Sequence, residues 1–363
     1  MIVGTLKRYV AMRFVNAALG YFVAVFVLVA MVDYIELLRR AGDTSVSPLL
    51  LAQASVFRVP QITERIIPFC VLVGAMSAYL TLSRRLELVV ARSAGMSAWQ
   101  FVAPSMVAAI LLGGVVTFGY NPLSAALQEQ AKLLEARLFG DSGHGLQQAS
   151  GGSFWVTQRN NEGQAVINAR VSLRQGAELR GVSVYQFDNS GRFRNRIDAG
   201  QAVLEPGYWR LQDAKVYAIG TQPRGPGEYL LATQLTPEEV RERFATPETI
   251  PVWNLPDYIE RAERVGLKAA IYRLHFQKLL AQPFLFAAMV LLAAAVSLRF
   301  FRFGGIQKMI LSGVIAGFLL FVIAKVIDDM AKADLVHPIF AAWLPILIGG
   351  LTGFVALLYQ EDG

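Results

Sequence analysis

The sequence predicts a mixed membrane protein in which six transmembrane helices, arranged as three plus three, flank an inserted β domain. Composition is the first reason. Hydrophobic residues make up 54% of the chain and charged residues 17%, with a mean hydropathy of +0.43, whereas soluble proteins carry about 25% charged residues. Order is the second reason. Long apolar runs occupy both ends of the chain, and a polar stretch with short β-like segments separates them.

Six apolar runs are long enough to cross a bilayer, alone or with their flanking turns. A helix needs about 20 residues to span the hydrocarbon core, and buried helices of soluble proteins seldom stay uncharged over that length. The first run is too long for the apolar region of a signal peptide and lacks a cleavage site, so we expect it to be retained. The predicted spans are Phe14–Val32, Ile66–Ser83, Trp99–Tyr120, Gln282–Leu298, Met309–Ala324 and Leu335–Tyr359.

Basic residues at the helix ends predict the orientation. Lys and Arg concentrate on the cytoplasmic side of membrane proteins, and here they precede the first span and fill the second-to-third and fourth-to-fifth connections. Both termini are therefore predicted to be cytoplasmic and the β domain to lie outside. Arg39 and Arg40 fall on the outer side against this rule. The cytoplasmic set is Lys7, Arg8, Arg13, Arg84, Arg85, Arg92, Arg299, Arg302 and Lys308.

The polar stretch separates two transmembrane halves, residues 1–140 and 257–363. Between them, residues 141–256 show a period of two, with turn formers between short β-branched or aromatic segments. This pattern is typical of a sandwich, a jellyroll or an open barrel. The predicted strands are Phe154–Thr157, Ala165–Leu173, Gly181–Phe187, Gln201–Leu204, Tyr208–Leu211 and Lys215–Ile219.

The apolar positions of these strands have two interpretations. Ile167 and Val184 each lie in a segment whose alternate residues are apolar. An ordinary domain core explains the pattern and is favoured. A trough for acyl chains is the alternative, because open β structures can enclose ligands.

Several chemistries have no signature in the sequence. No Walker A motif, no H-E-x-x-H and no G-x-S-x-G occur. Cys70 is the single cysteine, so no intrachain disulfide or cysteine metal cluster can form. The net charge of +7 partly reflects the cytoplasmic clusters, and we do not interpret it as nucleic-acid binding. The sequence thus favours a non-enzymatic membrane subunit without a cofactor of its own.

The second-to-third connection predicts a short cytoplasmic helix over Arg84–Ala94, with Ser83 as its N-cap and Gly95 at its exit. Glu87 lies beside a stripe at helical spacing. The helix could insert into a groove on a partner protein or lie on the membrane surface with its arginines on lipid phosphates. The stripe consists of Leu86, Val89, Val90 and Ser93.

The outer end of the first helix carries Arg39 and Arg40, which can pair with Glu36 at helical spacing. Two adjacent guanidinium groups can also make forked hydrogen bonds with phosphates at the membrane surface. Lys132 and Arg137, at the outer end of the third helix, could extend the same basic rim.

Charges also end the fifth helix. Lys325 is spaced to reach Asp328 and Asp329 within one turn. A local ion pair at the membrane interface is the favoured interpretation, since a proton pathway would need acidic groups deeper in the helices.

Two stretches carry a resemblance to a known family. The segment from Ser83 to Ser97 resembles the coupling helix of the LptF/LptG permeases of the lipopolysaccharide export system, and the segment from Tyr34 to Gly42 resembles the LptG side more than the LptF side. There a basic pair lies at the mouth of the lipid cavity, and here both positions are arginine. The resemblance covers nearly the whole chain: three helices, a periplasmic β-jellyroll and three helices.

The resemblance implies a half-transporter in the bacterial inner membrane. An LptF-like chain would complete the lipid cavity, an LptB-like ATPase dimer would bind ATP, and an LptC-like bitopic protein would add a helix and a jellyroll. It implies that Glu87 contacts the ATPase, with Leu86, Val89 and Val90 packing beside it. It also implies a lipid path past the basic rim and the β domain.

Two other functions stay open at this point. One is a periplasm-sensing regulator that transmits mechanical signals without moving lipid. The other is a membrane-anchored enzyme acting on envelope lipids or peptidoglycan. Variants of Glu87, and crosslinking of lipid from Ile167 or Val184, distinguish them from a permease.

Overall fold

Ten helices and six strands form the part of the chain that the computed structural model describes: residues 2–42, 47–139, 154–160, 163–173, 177–188, 191–218, 224–233, 247–264, 269–303 and 306–361. The helices before the sheet are α1 (Ile2–Ala41), α2 (Pro48–Glu64), α3 (Ile67–Arg84), α4 (Glu87–Ser93), α5 (Ala98–Val115) and α6 (Asn121–Phe139). Those after the sheet are α7 (Leu255–Arg264), α8 (Ala270–Phe303), α9 (Ile306–Lys332) and α10 (Pro338–Glu361).

Six of the described helical segments are long and apolar enough to cross a membrane, which confirms the predicted 3+3 arrangement. A π-helical turn, Val116–Tyr120, joins α5 to α6, so the third span and α6 form one continuous helical segment. Because three spans precede the sheet, both chain ends lie opposite to it. We call the two faces the sheet side and the terminal side. The spans are α1, α3, α5 with the start of α6, α8, α9 and α10.

The spans α3 and α8 form the centre of the bundle, where most of their residues are buried, whereas few residues of α1 and α9 are fully buried. Small residues bring the central helices close together. A Cβ atom built on Gly74 would lie 2.6 Å from Ala18 Cα, and one on Gly113 would lie 2.4 Å from Pro283 Cα. Such contacts are typical of membrane helix packing, where small residues let backbones approach.

The helix α2 is absent from the predictions and is a correction to them. Its residues mix Arg58 and Glu64 with apolar side chains and contain Pro60, so the segment lacks both a long uncharged run and a clean helical stripe. It folds because it packs against α1 and α6 on the sheet side, where Leu37, Leu51 and Ala54 are buried together. We call α2, the outer end of α1 and α6 the outer platform.

The inserted domain is a six-stranded antiparallel sheet with the strand order β1-β2-β3-β4-β5-β6. The sheet curls until its first and last strands meet. Gln158 of β1 donates to the carbonyl oxygen of Ala232 at 3.1 Å and accepts from the Thr233 hydroxyl at 2.6 Å. The concave face buries one apolar cluster around Trp209. The strands are Phe154–Asn160, Gly163–Leu173, Glu178–Phe187, Phe193–Glu205, Tyr208–Ala218 and Arg224–Ala232.

Three strand predictions need correction. The fourth strand begins at Phe193, eight residues before the predicted Gln201, because its first half alternates charged and apolar residues that face opposite sides. The segments after Tyr208 form one strand, in which a bulge places Asp213 at φ +54°. The last strand, β6, is not among the predicted ones, and it contains Pro226, which an edge strand tolerates.

The chain returns from the sheet beside the start of α6, where a buried polar cluster holds it. The Glu64 carboxylate accepts hydrogen bonds from the Ser124 hydroxyl at 2.6 Å and from Asn121 Nδ2 at 2.9 Å. Asn121 Oδ1 in turn accepts from the Val252 backbone N–H at 3.1 Å. Burial raises the pKa of Glu64, and the two donors offset part of that rise. We call these four residues the Glu64 cluster.

Candidate functional site

The second-to-third connection is a helix, shorter than predicted. The span α3 continues through Arg84, and Leu86 then takes a left-handed backbone with φ +60°, so α4 begins at Glu87. Ser83 therefore lies inside the last turn of α3 and is not the N-cap. Gly95 ends the connection with φ +82°, and Ser97 caps α5 by accepting from the Gln100 backbone N–H at 3.2 Å.

The two faces of α4 differ in burial. Leu88 and Ala91 are buried and line a small crevice with Phe101 and Leu298. The predicted stripe faces away from the bundle: the exposed fractions are 61% for Leu86, 39% for Val89 and 64% for Val90, and Ser93 is exposed too. An apolar stripe outside the spans, next to a carboxylate, has the character of a protein-binding surface. We call Leu86, Glu87, Val89 and Val90 the coupling surface.

Glu87 is held from the first span. The Tyr9 hydroxyl donates to Glu87 Oε1 at 3.2 Å, and Arg13 Nε donates to the Tyr9 oxygen at 3.2 Å. The Arg13 guanidinium carbon lies 5.4 Å from the centre of the Tyr9 ring. The sequence analysis missed this contact, because nothing in the spacing of Tyr9 and Glu87 indicates that α1 and α4 meet.

The predicted basic pair lies at the outer end of α1, and both arginines bond to Glu36. Arg39 Nη2 lies 2.8 Å from Glu36 Oε2, and Arg40 Nε lies 2.9 Å from Oε1. The Arg39 side chain is 78% exposed, so its remaining N–H groups can reach an outside anion. A solvent-exposed ion pair of this kind adds little to stability. The arginines could therefore exchange the Glu36 carboxylate for the phosphate of a ligand with little loss of stability.

Arg58 of α2 is a second basic group that the sequence analysis missed. It lies 2.6 Å from Glu135 of α6 and 3.4 Å from Asp33 of α1, so it joins the three helices of the outer platform. Both of its partners are largely buried. We assign Arg58 to the structure of the platform, since its charge is already matched by two carboxylates.

The outer end of α6 lies near the end of α1 that bears the basic pair, because Leu134 and Leu138 pack against the buried cluster that contains Leu37 of α1 and residues of α2. The structure thereby brings the α6 segment with Lys132 and Arg137 into the same platform. Lys132 is half-buried. The side chain of Arg137 lies outside the described part of the structure.

Ile167 and Val184 are register partners on adjacent strands, and Val184 also pairs with Ile197 of β4. All three are buried in the concave face of the sheet. They form a core that seals the curled sheet from inside.

One ion pair at the end of α9 differs from the prediction. Lys325 pairs with Asp329 at 3.2 Å as expected for one helix, whereas Asp328 pairs with Lys278 of α8. Asp328 is buried, about 100° around α9 from the exposed Asp329, so it finds its partner on a neighbouring helix. The described residues contain no group of three acidic, histidine or cysteine side chains suited to a metal ion.

The sequence is similar to known proteins over nearly its full length. It is 24% identical to the lipopolysaccharide export system permease protein LptG of Escherichia coli K12 over 355 residues, which cover 94% of each chain. It is also 24% identical to LptG of Haemophilus influenzae over 364 residues, or 96% of each chain. Residues 8–359 match the family described as lipopolysaccharide export system permease LptF/LptG. With its six spans and inserted sheet, the chain belongs to the LptF/LptG family of lipopolysaccharide export permeases.

Proposed function

We propose that this protein is the LptG-like permease subunit of an ABC transporter that extracts lipopolysaccharide from the inner membrane and passes it along its β domain toward the outer membrane. The observation that carries the proposal is the pairing of two surfaces on opposite sides of the bundle. The coupling surface lies on the terminal side, and the arginine pair lies on the sheet side.

An energy source must come from a partner. Burying one methylene contributes about 0.8 kcal/mol, so drawing a multi-acyl lipid out of a bilayer needs external work and an apolar receptor. The sequence has no Walker motif. We therefore propose an LptB-like ATPase dimer on the coupling surface, an LptF-like chain completing the cavity, and an LptC-like protein beside the β domain.

The proposed orientation puts the coupling surface in the cytoplasm and the sheet in the periplasm. The basic groups of the terminal side, among them Arg84 and Arg85, support it. A Cys70→Ser, Arg192→Cys variant tests it, since the Arg192 side chain, in the connection between β3 and β4, is 83% exposed. A membrane-impermeant thiol reagent should label this variant in intact spheroplasts, and labelling only after lysis would reverse the orientation.

The coupling surface is tested by Glu87→Ala in the assembled complex, with Gln100→Ala as the matched control on the same side of the bundle. We expect Glu87→Ala to lower the affinity for the ATPase subunit at least tenfold, because it removes a carboxylate suited to charge-assisted hydrogen bonds. Gln100→Ala should leave the affinity unchanged. Equal affinities for both variants would remove the coupling role.

The lipid route is tested at the arginine pair and in the sheet. Replacing Arg39 and Arg40 by Glu should weaken capture of lipopolysaccharide, because it repels the phosphates that the arginines would bind. A photocrosslinker at Ile167 or Val184 should capture lipid only while ATP is hydrolysed, since both positions are buried at rest. Capture of protein without lipid would favour a regulator that moves no lipid.

A further inference from the structure

We propose that Tyr9 and Arg13 are positioning residues that fix the Glu87 carboxylate for the ATPase and join the coupling helix to the first transmembrane span. The inference rests on the proposed coupling role of Glu87. It concerns contacts between α1 and α4, which the docking of a partner does not by itself require.

The need for positioning follows from the local backbone. Glu87 is the first residue of a seven-residue helix, and it follows Leu86, whose φ of +60° is unfavourable for a residue with a Cβ. No side chain caps the start of α4. A short helix with such a start does not hold its first side chain by itself, so the direction of the carboxylate depends on contacts from outside.

The Tyr9 hydroxyl supplies that contact and is itself fixed. It uses its one proton for Glu87 and accepts the Arg13 N–H on its oxygen, at 3.2 Å in each case. A hydroxyl group whose oxygen accepts a hydrogen bond from a cation becomes a stronger donor, since successive hydrogen bonds polarise one another. The ring of Tyr9 packs against the main apolar core of the bundle, which leaves the hydroxyl little freedom.

The arrangement leaves part of the carboxylate for a partner. Glu87 is half-buried and bonds to Tyr9 through Oε1, and a carboxylate offers about four acceptor sites. Arg13 bonds to the Tyr9 oxygen, so the second oxygen of the Glu87 carboxylate is left for a partner. The contact thus presents an oriented hydrogen-bond acceptor next to the exposed apolar stripe.

The same contact connects movement on the two sides of the bilayer. Tyr9 and Arg13 belong to α1, which continues without interruption to Arg39 and Arg40. When the ATPase displaces α4, the bond from Tyr9 carries the displacement to the span that bears the basic pair.

Tyr9→Phe tests the inference because it deletes the hydroxyl and keeps the ring in the core. The full complex with both permease chains and the ATPase should show a three- to tenfold weaker ATPase affinity, the size expected for a typical hydrogen bond, because the 3.2 Å bond orients the carboxylate without itself contacting the ATPase. Tyr21→Phe is the matched control, since Tyr21 lies on the same helix and its hydroxyl contacts no partner among the described residues. An unchanged affinity in Tyr9→Phe would overturn the inference.

A double-mutant cycle separates positioning from general structure. If Tyr9 acts through Glu87, then adding Tyr9→Phe to Glu87→Ala should change the affinity less than twofold. An equal loss in both backgrounds would show that Tyr9 serves only the fold. If Glu87→Ala prevents binding altogether, the single Tyr9→Phe variant decides, together with an unchanged melting temperature of the permease.

Different outcomes would refute the coupling role of Glu87 and the positioning role of Tyr9. If Glu87→Ala leaves ATPase binding intact, the coupling surface proposed above is wrong. If Glu87→Ala weakens binding and Tyr9→Phe does not, only the positioning role is wrong. Arg13→Lys should restore part of what Arg13→Gln loses, because a lysine keeps the charge but not the directed Nε–H bond.

Discussion

Asn121→Ala should loosen the segment that returns from the sheet to the membrane. Asn121 is buried and makes two hydrogen bonds in the Glu64 cluster, one to the Glu64 carboxylate at 2.9 Å and one from the Val252 N–H at 3.1 Å. Alanine provides neither partner. The substitution therefore strips a buried carboxylate of one donor and leaves a buried backbone N–H without an acceptor.

The expected cost follows from those two losses. An unsatisfied buried donor costs about 1–3 kcal/mol, and a hydrogen bond to a charged group contributes about 1.5–3 kcal/mol. We expect at least about 2.5 kcal/mol of local destabilisation, which corresponds to roughly 70-fold faster exchange of the Val252 amide hydrogen when exchange proceeds by local opening. Exchange within the distant sheet core around Trp209 should not change.

Hydrogen exchange of the peptide that contains Val252 provides the measurement. Asn121→Asp is the control, because it keeps the acceptor for Val252 and places a second carboxylate beside Glu64. The raised pKa of Glu64 means that this carboxyl stabilises the fold most below its ordinary pKa of 4.5 and progressively less as the pH rises through its folded value. The deficit of Asn121→Asp should accordingly shrink as the pH falls, since the pair can then share a proton. Unchanged protection of Val252 in Asn121→Ala would refute the reasoning.

Three further predictions concern the packing of the sheet and the bundle. Trp209→Ala should destabilise the β domain by about 3–5 kcal/mol, seen as a lower melting temperature of its near-ultraviolet signal, because the ring is fully buried. Gly113→Val should lower the melting temperature of the bundle, whereas Gly114→Val should not, since only Gly113 contacts another backbone. Lys278→Leu should destabilise the permease in thermal unfolding by less than the roughly 3–5 kcal/mol of a fully buried pair, because the lysine is half-exposed. Adding Asp328→Leu should recover the loss, and no recovery would contradict the pairing.

The spans were predictable because lipid imposes one strong requirement. A helix in hydrocarbon must be long and apolar, so Phe14–Val32 and the five other spans can be recognised from the sequence. The structure extends them only at their ends. The β domain was predictable in kind, since turn formers and alternation are local signals. The strand around Pro226 was not, because its assignment depends on its place at the sheet edge.

The site was predictable where its chemistry is local. The Glu36 pairing with Arg39 and Arg40 follows from helical spacing, and the exposed stripe of α4 follows from its periodicity. The contacts of Glu87 with Tyr9 and of Arg58 with Asp33 join residues that are distant in sequence. No local pattern encodes such pairs, because they arise when packed helices bring their faces together.

The length of α1 has a mechanical consequence. Its 40 residues extend about 60 Å at 1.5 Å per residue, twice the roughly 30 Å of hydrocarbon, and the helix contains no proline hinge. A rigid helix of this length can tilt as one body about its midpoint in the bilayer. A tilt of about 5° about its midpoint swings each tip by roughly 2–3 Å in opposite directions. Displacement of the cytosolic end of α1 and a change in phosphate binding at its other end would then be one rigid-body movement. No rearrangement of side chains along the span would be needed.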